Sequence, residues 1–357
     1  MAERPLDVDV VIAVHDPDRA IDRAVRSALA SRAALRVTVV CHGLAAAEVA
    51  DRLGPLARDP RVRLIEHHDG IPSPTGPFNA GLDAATARFT SIMGSDDELE
   101  PGAIDAWLQV ADHDGAEVVI APLRHAGGAR IPTPPARPLR ARGLHVVADR
   151  LHYRSAPLGL VSRARFGAAR MMAGVRVGED LDYSGRLWSS GARISLARRS
   201  PAYLVHDDAP TRVTFTPRPV ADELAYLPRL LEAPWLVGSP LGERTAWAAK
   251  MWRINVFGAL YYRSDHAWSR GDRHALAGLA HDLAAFAPDA LERLSRLDRD
   301  LVDAAADESV PDDELNRRAR ARRRFASPGA VLTRRLRFTW AREAPIRYML
   351  ATLLASR

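Results

Sequence analysis

Apolar residues recur with two different periods along the first two thirds of the chain. Residues 7–14 (Asp-Val-Asp-Val-Val-Ile-Ala-Val) are dense in β-branched side chains and stop at His15-Asp16-Pro17-Asp18, a cluster that breaks a strand and can cap a helix. Across residues 19–31, Ile21, Ala24, Val25, Ala28 and Leu29 fall at the three- and four-residue spacing of one buried helical face. The same reading predicts strands at 35–41, 62–66, 89–93 and 117–121, and helices at 45–56, 78–87 and 101–111. Strands that alternate with helices argue for a parallel α/β sheet covered on both faces. Residues 124–142 carry Pro132, Pro134, Pro135 and Pro138 and predict a long surface loop placed to act as a lid. The period is mixed through 158–161, and a helix at 179–188 and strands near 194–196 and 202–205 complete this half.

Beyond the proline-rich segment 207–219 the strand pattern disappears and about five or six helices are expected. The expected division is therefore residues 1–217, an α/β domain, and 218–357, an all-helical C-terminal domain. Trp235, Trp247, Trp252 and Trp268 have spacings that suit a helical core better than a base-stacking surface.

Composition narrows the function classes. The 357 residues are 47% hydrophobic and 26% charged, a balance that permits a sizeable core and excludes a disordered chain. The single cysteine, Cys41, excludes an internal disulfide framework and a multi-cysteine zinc site. No run approaches the roughly 18 to 20 apolar residues that span a bilayer, so a cytoplasmic protein is expected. Formal net charge is +6, with one lysine, Lys250, among 50 basic residues. That charge suits nucleic acid, an anionic membrane or a polyanionic substrate, and does not choose among them. No Gly-x-Gly-x-x-Gly, Gly-x-x-x-x-Gly-Lys, His-Glu-x-x-His or Gly-x-Ser-x-Gly occurs, which sets aside dinucleotide dehydrogenases, P-loop enzymes, zincins and α/β-hydrolases.

What remains are carboxylates placed after strands. Asp96-Asp97-Glu98 follows the fourth strand, where paired carboxylates hold a hard cation such as Mg²⁺ or Mn²⁺ on a substrate diphosphate. Read on their own, they serve equally as negative charge at the start of the next helix. Glu179-Asp180-Leu181-Asp182 opens another helix, with Asp182 and Arg186 four apart on one face. A carboxylate beside a second carboxylate gains proton affinity and becomes a better base for a hydroxyl; the alternative is a helix cap.

In order along residues 7–216, these segments resemble family 2 glycosyltransferases. The opening strand with its polar turn, Val14-His15-Asp16, and Arg26-Ser27-Ala28-Leu29 are similar to the family's start. Gly76-Pro77-Phe78-Asn79-Ala80-Gly81-Leu82 resembles its asparagine turn, Ser95-Asp96-Asp97-Glu98 with Pro101 its metal-binding aspartate motif, and Gly178-Glu179-Asp180 its catalytic-base segment. The resemblance implies a GT-A fold, a Rossmann-like, mostly parallel sheet flanked by helices. It implies a nucleotide-diphosphate sugar donor and inverting transfer to a glycan, polyol-phosphate or lipid-linked acceptor. Asp180, with Glu179, would be catalytic. Val14, His15, Asp16, Asp69, Asn79, Ser95, Asp96 and Arg212 would bind the donor, and Asp97 and Trp188 the acceptor. Asp96 and His206 would hold Mg²⁺ or Mn²⁺. On general grounds His206 can equally be structural, and Arg212 can lie on the linker surface. Relatives commonly carry an aspartate where Gly94 stands and an acidic pair where this chain has Cys41-His42-Gly43. The Gln-x-x-Arg-Trp signature of processive synthases is absent, so transfer without extrusion is expected.

Nine arginines between Arg317 and Arg337 can recognise a polyanionic acceptor, lie on an anionic membrane at the inner face of the cell envelope, or pack within the helical domain. Self-association is a further role for that domain. A nucleic-acid-binding protein is the competing class, but it leaves both acidic pairs without a role, so nucleic acid is not the expected partner. A GT-A domain that binds a sugar nucleotide without turning it over is the other alternative.

Overall fold

The structure is a computed structural model and describes residues 5–131, 137, 140–206, 218–325 and 327–355. It divides into two units, Met1–Thr211 and Arg212–Arg357, so the division falls within residues 207–217, six residues before the expected one.

The first unit begins β1 (Val8–Val14), α1 (Ile21–Leu29), β2 (Leu35–His42), α2 (Ala46–Leu53), β3 (Val62–His67), α3 (Thr75–Asp83), β4 (Phe89–Gly94) and β5 (Glu98–Leu99). It continues α4 (Ala103–Asp114), β6 (Val118–Ile120), β7 (Leu123–His125), β8 (Gly159–Ser162), α5 (Arg163–Phe166), α6 (Asp180–Ser189), β9 (Ile194–Leu196) and β10 (Tyr203–Val205). Seven strands form one sheet in the order β3-β2-β1-β4-β8-β6-β9. β1 to β4 pair in parallel, β8 alone runs antiparallel to both its neighbours, and β9 is parallel to β6. The central strand β1 is buried along nearly its whole length, which explains its continuous apolar run. The helical face foreseen in residues 19–31 is the buried face of α1, through Ile21, Ala24, Val25, Ala28 and Leu29.

Two departures from the sequence reading have clear causes. Helix α3 begins three residues before the expected 78–87 and ends at Asp83. The fully buried Asp9 of β1 accepts the backbone N–H groups of Thr86 (2.6 Å) and Ala87 (2.8 Å), which holds both outside the helix and leads the chain into β4. The predicted loop 124–142 starts as β7, which pairs with β10, and Arg137 is clamped by Asp149 through Nε and Nη2, both at 2.8 Å. Pro132, Pro134, Pro135 and Pro138, the prolines of the segment expected to act as a lid, lie outside the described residues.

A second sheet, β5-β10-β7, was not foreseen because its pairing is non-local: the two residues of β5 pair antiparallel with Tyr203 and Leu204. It fastens the acidic turn after β4 to the chain just ahead of His206.

The second unit is helical, as expected. Among the described residues its longer helices are Leu241–Lys250, extended by a π-turn into Phe257–Tyr262, then Arg270–Phe286, Arg296–Ala306, Asp312–Ala321 and Pro345–Ala355. Shorter turns link them, a subdivision that apolar periodicity does not reveal. Trp247 and Trp252 are fully buried, with Trp235 edge-on to Trp247 at 5.3 Å, and Lys250 is buried beside them on the same helix. Trp268 lies between Arg263 and Arg273. Trp340 is 64% exposed.

Candidate active site

The carboxyl ends of β1, β2, β3 and β4 lie side by side, because these strands are parallel and in register, so the turns that follow them share one edge of the sheet. That is where an open α/β sheet binds ligands. The turn after β1 carries Val14, His15 and Asp16; Val14 is buried and His15 exposed. Arg19 and Arg23, just beyond, reach the turn after β4. Arg19 Nη1 donates to Asp96 Oδ2 at 2.7 Å, and Arg23 donates to the Asp96 backbone carbonyl.

Asp96 and Asp97 have opposite surroundings. Asp96 faces outward beside Arg19, its side chain 20% exposed. Asp97 turns inward: Tyr203 Oη donates to Asp97 Oδ2 at 2.5 Å, and the His206 backbone N–H donates to Oδ1 at 3.2 Å. Tyr203 Oη also accepts the Gly94 N–H at 2.9 Å, so one buried phenol ties both ends of the turn. Burial raises the Asp97 carboxyl above its ordinary range, and the neighbouring Asp96 pushes the same way, against the hydrogen bonds from Tyr203 and His206. Burial also drives the Tyr203 hydroxyl well above 10, reinforced by Asp97, so it stays a donor. Asp97, for which an acceptor contact was expected, therefore turns inward with both carboxylate oxygens hydrogen-bonded. Ser95 between them is buried. His206 Nε2 meets Glu98 Oε2 at 3.1 Å.

A Cβ on Gly94 would approach Asp97 Oδ2 to 2.5 Å and Asp96 Oδ1 to 3.3 Å, so a larger residue there would have to move these carboxylates, and the glycine leaves room beside both. Among the described residues, no three His, Cys, Asp or Glu side chains converge as a metal centre.

At the ends of β2 and β3, Asp69 holds two imidazoles: His42 Nε2 at 2.8 Å on Oδ1 and His67 Nε2 at 3.1 Å on Oδ2, with the rings 5.8 Å apart. The Ile71 backbone N–H donates to Oδ1, and this bond, followed by that of His42, holds Asp69 far below the usual carboxylate range. The first turn of α3 lies against this group, since a Cβ on Gly76 would come within 2.1 Å of Asp69 Oδ2.

Helix α3 also carries the link to the second acidic pair. Asn79 spends both ends of its amide on Met171, donating from Nδ2 to the carbonyl at 3.0 Å and accepting the N–H at 2.8 Å. Thr75 Oγ1 donates to the Met172 carbonyl, and the Met172 N–H donates to the Glu179 carbonyl at 3.1 Å. Glu179 and Asp180 are thereby tethered to the turn that follows β3. Burial pushes the Glu179 carboxyl up to about 7, and the adjacent Asp180 adds to the shift. Asp182 takes the expected partner, Arg186, at 2.9–3.0 Å. Trp188, expected at the acceptor, is instead 3% exposed in the core, its indole N–H donating to the Arg154 carbonyl at 2.9 Å. Arg212 lies outside the described residues.

Sequence reading missed Arg19, Arg23, His42, His67 and Tyr203. The first two stand four apart and immediately follow the β1 turn, which was a usable signal; the others meet their partners only through pairing of distant strands.

The family model "Glycosyl transferase family 2" matches residues 9–167, a span that contains the β1 turn, the asparagine turn and the aspartate turn. The chain carries a family 2 glycosyltransferase domain. Its N-terminal part is 35% identical over 114 residues to the "Succinoglycan biosynthesis protein ExoO" of Rhizobium meliloti (strain 1021). That alignment covers 32% of this chain and 32% of that protein, so the chain matches about a third of the length of this curated relative. Among solved structures, S. aureus TarS 1-349 in complex with UDP-GlcNAc is similar at a TM-score of 0.74 with 13% identity, covering 89% of this chain and 92% of that one. TarS 1-349 in complex with UDP is similar at 0.69 with 14% identity, covering 89% and 91%. The fold of the family 2 domain is thus GT-A, followed here by helices.

The arginines of the second unit are largely engaged within it. Arg317 and Arg318 pair with Glu314, Arg320 with Asp265, Arg322 with Asp298 at 2.9 Å, and Arg334 with Asp300 and Asp303, both at 2.6 Å. Arg323 stacks over Tyr261 at 4.1 Å. Packing within the helical unit, one of the three roles weighed for the cluster, accounts for these six.

Proposed function

We propose that this chain is an inverting, non-processive glycosyltransferase that moves a sugar from a nucleoside-diphosphate sugar to a hydroxyl of a cell-envelope glycan, polyol-phosphate or lipid-linked acceptor, on the cytoplasmic side. The observation that carries this reading is the acidic pair Glu179-Asp180, whose backbone is tethered to the ligand-binding edge of the sheet and whose Glu179 carboxyl is pushed up to about 7 by burial and by the adjacent Asp180. A carboxylate poised there accepts the acceptor's hydroxyl proton as that oxygen attacks the anomeric carbon. Asp180 is the proposed base. Glu179 stands beside it as the second carboxyl of the site, its proton affinity raised by burial and by Asp180.

The donor's place is supported by what lines that edge. Val14, His15 and Asp16 with Asp69 flank the base and ribose, Ser95 and Asp96 lie by the diphosphate, and Asn79 acts by fixing the Met171 backbone. Uridine nucleotides come first to mind, since TarS, similar in fold, has been solved with UDP and UDP-GlcNAc. The polysaccharide acceptor class draws on the description of the Rhizobium relative.

For Mg²⁺ or Mn²⁺ the aspartate turn offers the Asp96 carboxylate, beside which Gly94 adds no side chain, while the His206 ring is held by Glu98 Oε2 at 3.1 Å and would have to leave it to act as a ligand. When bound, the cation would neutralise charge on the departing diphosphate. Asp96 already holds a positive partner in Arg19, so this side chain must yield to a cation or share the carboxylate with it.

The test is a thermal-shift panel of nucleoside diphosphates and nucleotide sugars with Mn²⁺, Mg²⁺ or EDTA, followed by transfer assays with D180N. A shift with one nucleotide, and loss of transfer in D180N with donor binding retained, is expected. Intact transfer in D180N overturns the assignment of the base. Binding of a nucleotide sugar without transfer to any acceptor favours a lapsed domain.

A further inference from the structure

The last described segment of the helical unit exposes large apolar side chains and arginines together. Leu336, Trp340, Leu350, Leu353 and Leu354 are 49–64% exposed, and they account for five of the eleven exposed large hydrophobics among the described residues. On helix Pro345–Ala355 the exposed leucines stand at i, i+3 and i+4, with Arg347 one turn before Leu350, so they share one face. Pro345, Ile346, Tyr348, Met349, Ala351 and Thr352 of that helix are half-buried or buried.

Charge says what covers this face. Between Thr333 and Ala355 there are five arginines, Arg334, Arg335, Arg337, Arg342 and Arg347, all exposed, and one acid, Glu343, only 2% exposed. Arg334 and Arg335 lean back on Asp300, Asp303 and Glu292, and Arg337 lies over the Phe338 ring at 4.8 Å. A second copy of the chain seated here about a two-fold axis would set the same arginines against one another, with no exposed acid of the segment to answer them. An anionic bilayer offers what the face lacks: phosphates for guanidinium groups, and a boundary layer where an indole and leucines leave water while the arginines remain in it.

We propose that Leu336–Leu354 is a docking surface for an anionic lipid membrane. The protein lies on the bilayer through this surface. The inference does not depend on the transferase reading, since it concerns a surface of the second unit and is tested without turnover.

The experiment is co-sedimentation of the full chain with vesicles of phosphatidylcholine alone or with about one third phosphatidylglycerol, at physiological salt. Binding at least about tenfold tighter to the anionic vesicles is expected, because each arginine near such a surface adds several-fold. Leu350→Ser/Leu353→Ser/Leu354→Ser should lower binding to both vesicle types, and Arg337→Gln/Arg342→Gln/Arg347→Gln should remove only the preference for phosphatidylglycerol. All six side chains are exposed, and an unchanged melting temperature checks that each variant is folded. Equal binding to both vesicles by the wild type, or undiminished binding by the triple serine variant, overturns the proposal. A concentration-dependent dimer that the serine variant dissociates also overturns it and assigns the face to a second copy.

Discussion

Replacing Tyr203 by Phe tests how the aspartate turn is held. The phenol is 1% exposed, donates to Asp97 Oδ2 at 2.5 Å and accepts the Gly94 N–H at 2.9 Å. Phenylalanine fills the same volume, so the loss is confined to two hydrogen bonds in a place from which water is excluded. Each group left without its partner costs about 1–3 kcal/mol. Asp97 keeps the His206 N–H on its other oxygen, which places its loss toward the lower end, so the sum is about 2–4 kcal/mol. For a unit of this size each kcal/mol lowers Tm by about 2–4 °C, which predicts a fall of roughly 4–16 °C for the transition of the first unit in calorimetry. Asp97→Asn retains an acceptor oxygen and removes a charge that burial disfavours, so it should cost less. In the double variant the two effects should be less than additive, by about 1 kcal/mol or more, as for residues in contact. A Tm within 1 °C of wild type for Y203F, or strict additivity with D97N, refutes the strut.

Other predictions concern charge at the same edge. Transfer should rise with pH through about 7 as the Glu179-Asp180 pair loses its proton, and Glu179→Gln should move that inflection to lower pH by removing the neighbouring charge; a profile unmoved by E179Q contradicts the coupling. The same shift has a stability consequence of definite sign. The native state holds a proton on Glu179 that the unfolded state releases near 4.5, so its contribution is fully present below that pH and lost as pH rises through about 7, and E179Q should raise Tm at pH 8 relative to wild type but not at pH 4. Arg19→Ala removes the guanidinium 2.7 Å from Asp96 and should tighten Mn²⁺ binding measured by titration calorimetry, whereas unchanged affinity would mean that the cation does not use Asp96. Asn79→Ala loses both bonds to Met171 and should reduce kcat by tenfold or so with donor binding little changed, since it frees the segment that carries Glu179. Equal losses in both would make Asn79 a donor contact.

The order of strands and helices, the buried face of α1 and the two acidic turns were legible from residue types alone. Period and burial are local properties: a β-branched run makes a two-sided strand such as β1, and apolar residues three and four apart make a helix with one inward face. The placing of charged residues after strands was legible for the same reason, because a turn must follow a strand and polar residues must follow an apolar run. What each acid does there was not legible. Asp96 and Asp97 are neighbours of the same type, yet β5–β10 pairing brings Tyr203 over a hundred residues along the chain to one of them, while Arg19 meets the other. The family resemblance assigned Trp188 to the acceptor, but its indole is buried and donates to the carbonyl of Arg154, 34 residues earlier in the chain. Asn79 carries a motif that sequence assigns to the donor, and the fold gives its amide to Met171. Chain neighbours set the conformation of each element, whereas environment, and with it proton affinity and access to a ligand, is set by residues that are distant in sequence and meet only when the sheet closes.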